Sequence, residues 1–219
     1  MTGNTPGPVD LGVDTVRPAV VTIDLHRGHL DAAVATMPLP EPTAAAVVDA
    51  NLRFLAAARG AGLPVIHLVT SYRDEVEILS NPWWRSIADS EATRGRLREH
   101  QLESGAGVEL VRGVLDPRHD RVLSTKKRYD AFLATGLDLV LRSLGVNTLL
   151  LTGVNTNSCI LSTTIAASTR DYATIVVSDC VATMDDPELH HAALACIEVA
   201  FGWVMDSRDA LAAVAGSVA

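Results

Sequence analysis

Asp24, Lys126 and Cys159 supply a carboxylate, an ammonium and a thiol, and that trio suffices for acyl transfer. A carboxylate beside a thiol takes its proton and later delivers it to a departing amine. A neighbouring lysine favours the charged species. Cys159 is expected at the start of a helix, where unpaired N–H groups and the positive end of the macrodipole favour a thiolate. Backbone N–H groups in the turn around Gly153–Cys159 can supply an oxyanion hole, whose single donors are worth about 2.7–4 kcal/mol each. Spacing alone leaves a plainer alternative open. An acid at a strand end is often a cap or an ion-pair partner, and small cysteines commonly fill helix–sheet interfaces.

The hydrophobic pattern places these groups. Ala19–Leu25 is nearly continuous in apolar residues and reads as a strand buried on both faces. A helix over Thr43 to Arg59 carries Val48, Leu52 and Leu55 on one stripe, and Pro64–Val69 is a second strand. Residues 70–119 are less regular, with a helix expected from about Ser86 to Leu102 and a stop at Gly105 and Gly107. Arg121–Thr125 is a third strand. Thr135 reads as an N-cap, with Asp138 in a partial capping box and Gly145 just past the end of that helix. Thr148–Thr152 is a fourth strand, followed by a helix from about Ser158 to Arg170, and Thr174–Ser178 is a fifth. Asp186 and Pro187 open a helix whose stripe is Leu189, Ala193, Cys196 and Ala200; Trp203–Met205 is a last short strand before a terminal helix. This alternation predicts an α/β chain: a three-layer αβα Rossmann-like fold with a six-stranded, mainly parallel sheet. Ligands bind outside the carboxyl ends of such strands, where the strand order reverses. Asp24, Lys126 and Cys159 all fall at that edge.

Composition bounds the rest. The chain has 219 residues, 48% of them hydrophobic, enough for one well-cored domain over residues 18–219 after a flexible N-terminal segment, 1–17. A net charge of −8 argues against nucleic-acid partners and against an anionic membrane surface. No signal-peptide pattern or membrane-length apolar run is present. Cys159, Cys180 and Cys196 form no CxxC pair, which fits a reducing cytoplasm. There is no GxGxxG after the first strand, no Walker A sequence and no GxSxG, which disfavours dinucleotide chemistry and serine hydrolysis.

Two blocks resemble the isochorismatase-like superfamily of cysteine hydrolases. VTIDLHRGHL resembles its opening strand, in which the Asp is followed by a Gln-type position; TKKRYDAFLATGLDLVLRSLGVNTLLLTGVNTNSC resembles Lys-x-Arg-Tyr-x-x-Phe-x-x-Thr-x-Leu, a helix, and a strand ending in Thr-Gly-x-x-Thr-x-x-Cys. The likeness runs from about residue 18 to 206. It implies Asp24, Lys126 and Cys159 as the catalytic groups, a cis peptide at Val154–Asn155, and an oxyanion hole from the N–H groups of Asn155 and Cys159. It also implies a homodimer or homotetramer. The cysteine points to amide, ureido or lactam substrates, as in N-carbamoylsarcosine amidohydrolase-like relatives. The alternatives are an isochorismatase-type ether hydrolase, which needs no thiol, and a non-catalytic binding protein on the same fold.

The sequence also departs from relatives. Nicotinamidase-type members carry an Asp-x-His…His metal set after the second strand, and Thr70-Ser71-Tyr72-Arg73-Asp74-Glu75 has no histidine. No catalytic metal and no cofactor are therefore expected, although the His26/His29 spacing keeps a metal site as an alternative. His26 stands where many relatives have Gln. A small-molecule pocket is expected from His26, His29, Arg73, Trp83, Trp84 and Tyr129, with Arg73 anchoring a carboxylate; core or subunit-interface roles are the alternative for the two tryptophans. Phe132 and His67 read as core, Cys180 and Cys196 as structural, and His190–His191 as a solvated cap region. Cys159 is expected to react with iodoacetamide faster than the other two thiols.

Overall fold

The computed structural model describes residues 9–90 and 97–215. Six strands, β1 (Pro18–Ile23), β2 (Val65–Thr70), β3 (Arg121–Lys126), β4 (Thr148–Val154), β5 (Ala173–Ala182) and β6 (Trp203–Met205), form one parallel sheet in the order β3-β2-β1-β4-β5-β6. The order reverses between β1 and β4. A crevice at their carboxyl ends is therefore the default binding place.

Alternation along the strands feeds two cores. On β1, Ala19, Val21 and Ile23 face one cluster and Val20 the other. The first cluster is closed by α5 (Leu137–Ser143), α6 (Leu161–Ser168) and α7 (Pro187–Ala200), through Leu137, Leu141, Ala167 and Ile197. The second is closed by α2 (Glu41–Gly60) and α8 (Ser207–Val214), through Phe54, Leu55, Ala58 and Ala210. Three short helices, α1 (Arg27–Leu30), α3 (Glu75–Leu79) and α4 (Pro82–Ile87), lie in the connections after β1 and β2. A third cluster, with Ile78, Trp84 and Leu97, packs on Val154 and Ala182 at the carboxyl ends of β4 and β5. β3 is an edge strand, exposed along most of its length; Lys126 is its one buried residue.

The elements differ in several places from those the sequence pattern predicts. The helix expected over 86–102 is absent from the described part of that span: α4 ends at Ile87, and Leu97–Glu99 is a single 3-10 turn; residues 91–96 lie outside the described residues. The N-cap of α5 is Gly136, while the Thr135 hydroxyl accepts from the Leu137 N–H at 3.2 Å, and Asp138 pairs with Arg142 instead of boxing the cap. The stripe on α7 is rotated: Ala193 and Ile197 are its buried residues, whereas Cys196 is exposed and Leu189 is half exposed. Residues 1–8 lie outside the described residues; in 9–17, Leu11 is buried and Arg17 is bonded to Asn147 and Gly145.

Candidate active site

The strand order turns sequence-distant residues into neighbours. From one edge of the sheet inward, the carboxyl ends of β3, β2 and β1 present Lys126, Thr70 and Asp24, and the turn after β4 presents Cys159. A register shift between β2 and β3 opposes Thr70 to Lys126, although Leu68 pairs with Leu123. The extra residue on β3 is a bulge, and it turns Lys126 inward from an otherwise exposed strand. Asp24 breaks β1 with a left-handed φ of 55°, a conformation that Asp tolerates better than most residues. Gly153, at φ 112°, lets β4 pass β1 closely, because a Cβ there would collide with the Ile23 carbonyl.

Cys159 does not sit in a regular first helical turn. Thr156–Ile160 forms a π-helical turn ahead of α6, a distortion often found at functional sites. The Val154–Asn155 peptide is cis. The Asn155 side-chain oxygen accepts from the Met184 N–H at 2.8 Å, and its carbonyl accepts from the Ile160 N–H at 3.1 Å. His190, expected to be solvated, is bonded to the Thr156 hydroxyl at 2.9 Å.

The Lys126 ammonium donates to Asp24 Oδ2 at 2.6 Å, to the Thr70 hydroxyl at 2.7 Å and to the Cys159 sulfur at 3.3 Å. Asp24 Oδ1 accepts from the Thr70 N–H at 2.9 Å and from its hydroxyl at 2.8 Å. Asp24 and Lys126 are each about 1% exposed. Burial alone pushes the Asp24 carboxyl upward, but the charge of the Lys126 ammonium and its hydrogen bond outweigh it and hold the group well below the usual carboxylate range. Burial likewise pulls Lys126 down, and the Asp24 charge overrides that, holding the ammonium above its ordinary value. The thiol behaves differently. Burial first, then the charge and hydrogen bond of Asp24, push Cys159 up to about 11 against the pull of Lys126. The resting site is therefore carboxylate, ammonium and thiol, with burial outweighing the pull of Lys126 on the sulfur.

A cavity of about 30 Å³ opens beside these groups, room for one or two waters. His29, Trp84 and Tyr129, three of the expected pocket residues, line it together with Asn155. The other three do not. His26 is fully buried behind Asp24, its Nε2 3.6 Å from Asp24 Oδ1. Arg73 is 76% exposed and paired with Glu77, so it anchors nothing in the cavity. Trp83 is 67% exposed, because Asn81 caps α4 in an orientation that turns Trp84 inward and Trp83 out. Met37, Thr70, Tyr72, Leu97, His100 and Arg128, none of them expected from the sequence, complete the wall. Tyr72 donates its hydroxyl to the Lys127 carbonyl at 2.7 Å, and the Arg128 guanidinium lies 4.8 Å over the Trp84 ring. Thr70 alone had a usable signal, as the last residue of a strand predicted to reach the crevice.

Other polar groups are structural. His67 lies between the Thr22 hydroxyl, at 2.6 Å, and Asp120, at 3.0 Å, and Arg59 also pairs with Asp120. Among the described residues, no group of three or more His, Cys, Asp or Glu side chains is arranged to hold a metal ion. Gln101 is buried, and its Oε1 has no hydrogen-bond partner among the described residues, which costs about 1–3 kcal/mol.

Comparisons with known proteins agree with this architecture. The ureidoacrylate amidohydrolase RutB of Methylobacterium radiotolerans is 31% identical over 210 residues, a match spanning 91% of this chain and 80% of that protein. The crystal structure of an N-carbamoylsarcosine amidase from Thermoplasma acidophilum superposes with a TM-score of 0.68 at 26% identity, covering 88% of this chain and 97% of that one. A cysteine hydrolase from Pseudomonas syringae pv. phaseolicola shares the fold, with a TM-score of 0.74 at 23% identity over 99% of this chain and 100% of that one. The family model for the isochorismatase domain matches residues 18–209. By these matches, the chain belongs to the isochorismatase family.

Proposed function

We propose that Cys159 is the nucleophile, Asp24 the general acid–base and Lys126 the electrostatic anchor of a hydrolase that opens a C–N bond of a small ureido acid or related carbamoyl compound. The kinship with amidohydrolases makes the chain a hydrolase of non-peptide C–N bonds. Ureido acids are favoured within that class because the curated relative named above acts on ureidoacrylate. The observation that carries the residue roles is that one ammonium touches both the Asp24 carboxylate and the Cys159 sulfur in a buried crevice.

Because the resting thiol is protonated, attack and proton transfer are coupled. Asp24 takes the Cys159 proton as the sulfur bonds to the substrate carbonyl carbon, and the Asn155 and Cys159 N–H groups receive the oxyanion. The C–N bond then breaks, Asp24 gives its proton to the departing nitrogen, and an acyl-enzyme remains: an S-carbamoyl thiocarbamate from a ureido acid, a thioester from a simple amide. Asp24 next deprotonates a water, which attacks the acyl carbon; the C–S bond breaks, the sulfur takes the proton back from Asp24, and the carbamic or carboxylic acid leaves. Lys126 stays charged throughout. Its loss would strand a buried carboxylate, at a cost of about 3–5 kcal/mol.

The unpaired cysteines support placement in a reducing compartment, and the exposed Leu189 and Val199 on α7 support assembly with further copies of the chain. The test is ammonia release from ureido acids, simple amides, cyclic imides and lactams, with Cys159→Ala in parallel. Ureido acids should turn over fastest and the variant should be inactive. Turnover that survives Cys159→Ala, or none with any compound, would sink the reading.

A further inference from the structure

The two N–H groups assigned to the oxyanion belong to Asn155 and Cys159, so their convergence depends on how the turn between them is held. Within the turn, the Asn155 carbonyl accepts from the Ser158 and Ile160 N–H groups, both at 3.1 Å. Further support comes from outside it, from the connection between β5 and α7. There the Met184 N–H donates to Asn155 Oδ1, and Asn157 is held at both ends of its amide. Asn157 Oδ1 accepts from the Thr183 hydroxyl at 2.7 Å, and Nδ2 donates to Asp185 Oδ2 at 2.8 Å. The Thr183 hydroxyl accepts in turn from the Asp185 N–H at 3.1 Å, which closes a ring of three hydrogen bonds.

Elementary valence fixes the orientation of that amide. A carboxylate only accepts, so the amide nitrogen faces Asp185 and the oxygen is left for Thr183. The Thr183 hydroxyl already takes the Asp185 N–H on a lone pair, and its own hydrogen is free to donate to Asn157. Turning the amide over would set its oxygen against a carboxylate, which is repulsive. Asn157 is not among the residues that line the cavity, so it reaches the substrate only through the turn. An oxyanion hole works because its donors are fixed before charge develops, and a misplacement of about 1 Å can cost on the order of a hundredfold in rate.

We infer that Asn157 is a positioning residue, whose amide pins the nucleophile turn to the β5–α7 connection so that the Asn155 and Cys159 N–H groups point together at the oxyanion. The inference rests on Cys159 being the nucleophile and on those two groups being the oxyanion donors.

The test separates two reactions of the same sulfur. p-Nitrophenyl acetate acylates a nucleophilic cysteine through a tetrahedral oxyanion, giving a thioester and a burst of p-nitrophenolate. Iodoacetamide alkylates the sulfur by displacing iodide, and no oxyanion forms. Measured against a Cys159→Ala background, Asn157→Leu should lose at least about tenfold in burst rate. Its Cys159 alkylation rate, read by peptide mapping, should stay within about twofold of the wild type. With a ureido acid, kcat should fall while KM holds within about twofold. Asn157→Asp sets a carboxylate against Asp185 and should lose a comparable amount; adding Asp185→Asn restores a donor and an acceptor and should recover most of it. An unaltered burst in Asn157→Leu, equal losses of acylation and alkylation, or no recovery in the double variant would each overturn the inference. A wild-type burst without turnover of any ureido acid would sink the substrate reading alone, whereas no Cys159-dependent burst would sink the nucleophile assignment and the inference with it.

Discussion

Thr70 gives Asp24 two hydrogen bonds on one carboxylate oxygen, from its backbone N–H at 2.9 Å and from its hydroxyl at 2.8 Å. The same hydroxyl accepts from Lys126 at 2.7 Å, so it bridges the buried ion pair. Thr70→Val keeps the N–H and the shape and removes the bridge. We expect kcat to fall about tenfold and stability by about 1–3 kcal/mol, with Thr70→Ser restoring both. Unchanged kcat in Thr70→Val would show that the bridge is dispensable.

Thiol labelling should run opposite to the order the sequence suggested. Cys196 is exposed, whereas Cys159 is 5% exposed beside a cavity of about 30 Å³ and is pushed up to about 11. Iodoacetamide near neutral pH should modify Cys196 first, with Cys159 lagging and accelerating as pH rises. Peptide mapping of a time course reads this out. Early modification of Cys159 would mean a preformed thiolate and would remove the coupled proton transfer from the mechanism.

Acid should weaken the fold through its buried histidines. His26, His67 and His100 are all held below their ordinary value of 6.5, with burial the largest cause in each. Their folded pKa values lie below the unfolded ones, so their contribution is fully present above about pH 6.5 and is lost as pH falls below it. Each adds a slope of up to about 1.4 kcal/mol per pH unit while the unfolded state binds the proton and the folded state does not. Urea denaturation between pH 7 and 5 should show falling stability, with a shallower slope in His67→Gln. An identical slope in that variant would rule out His67 as a contributor.

Specificity should follow the side chains that reach the cavity. Arg73→Ala and Trp83→Ala alter exposed groups and should leave kcat/KM within about twofold. Trp84 and Tyr129 line the cavity and are joined by a 3.2 Å hydrogen bond from the indole N–H to the tyrosine hydroxyl. Trp84→Ala removes a buried aromatic wall and should raise KM at least about tenfold. A large effect at Arg73 with none at Trp84 would relocate the binding surface.

The sequence by itself determined the alternation of strands and helices and the motif blocks that carry Asp24, Lys126 and Cys159 at or just past the ends of β1, β3 and β4. These are readable because alternating burial and motif spacing are local properties of the chain. Tertiary structure decided what depends on neighbours distant in sequence. The strand order and a bulge in β3 set Thr70 between Asp24 and Lys126; the cap on α4 chose Trp84 over Trp83 for the cavity; and the β5–α7 connection brought Thr183 and Asp185 to Asn157. Desolvation, a property of everything packed around a group, kept Cys159 a thiol against the pull of Lys126.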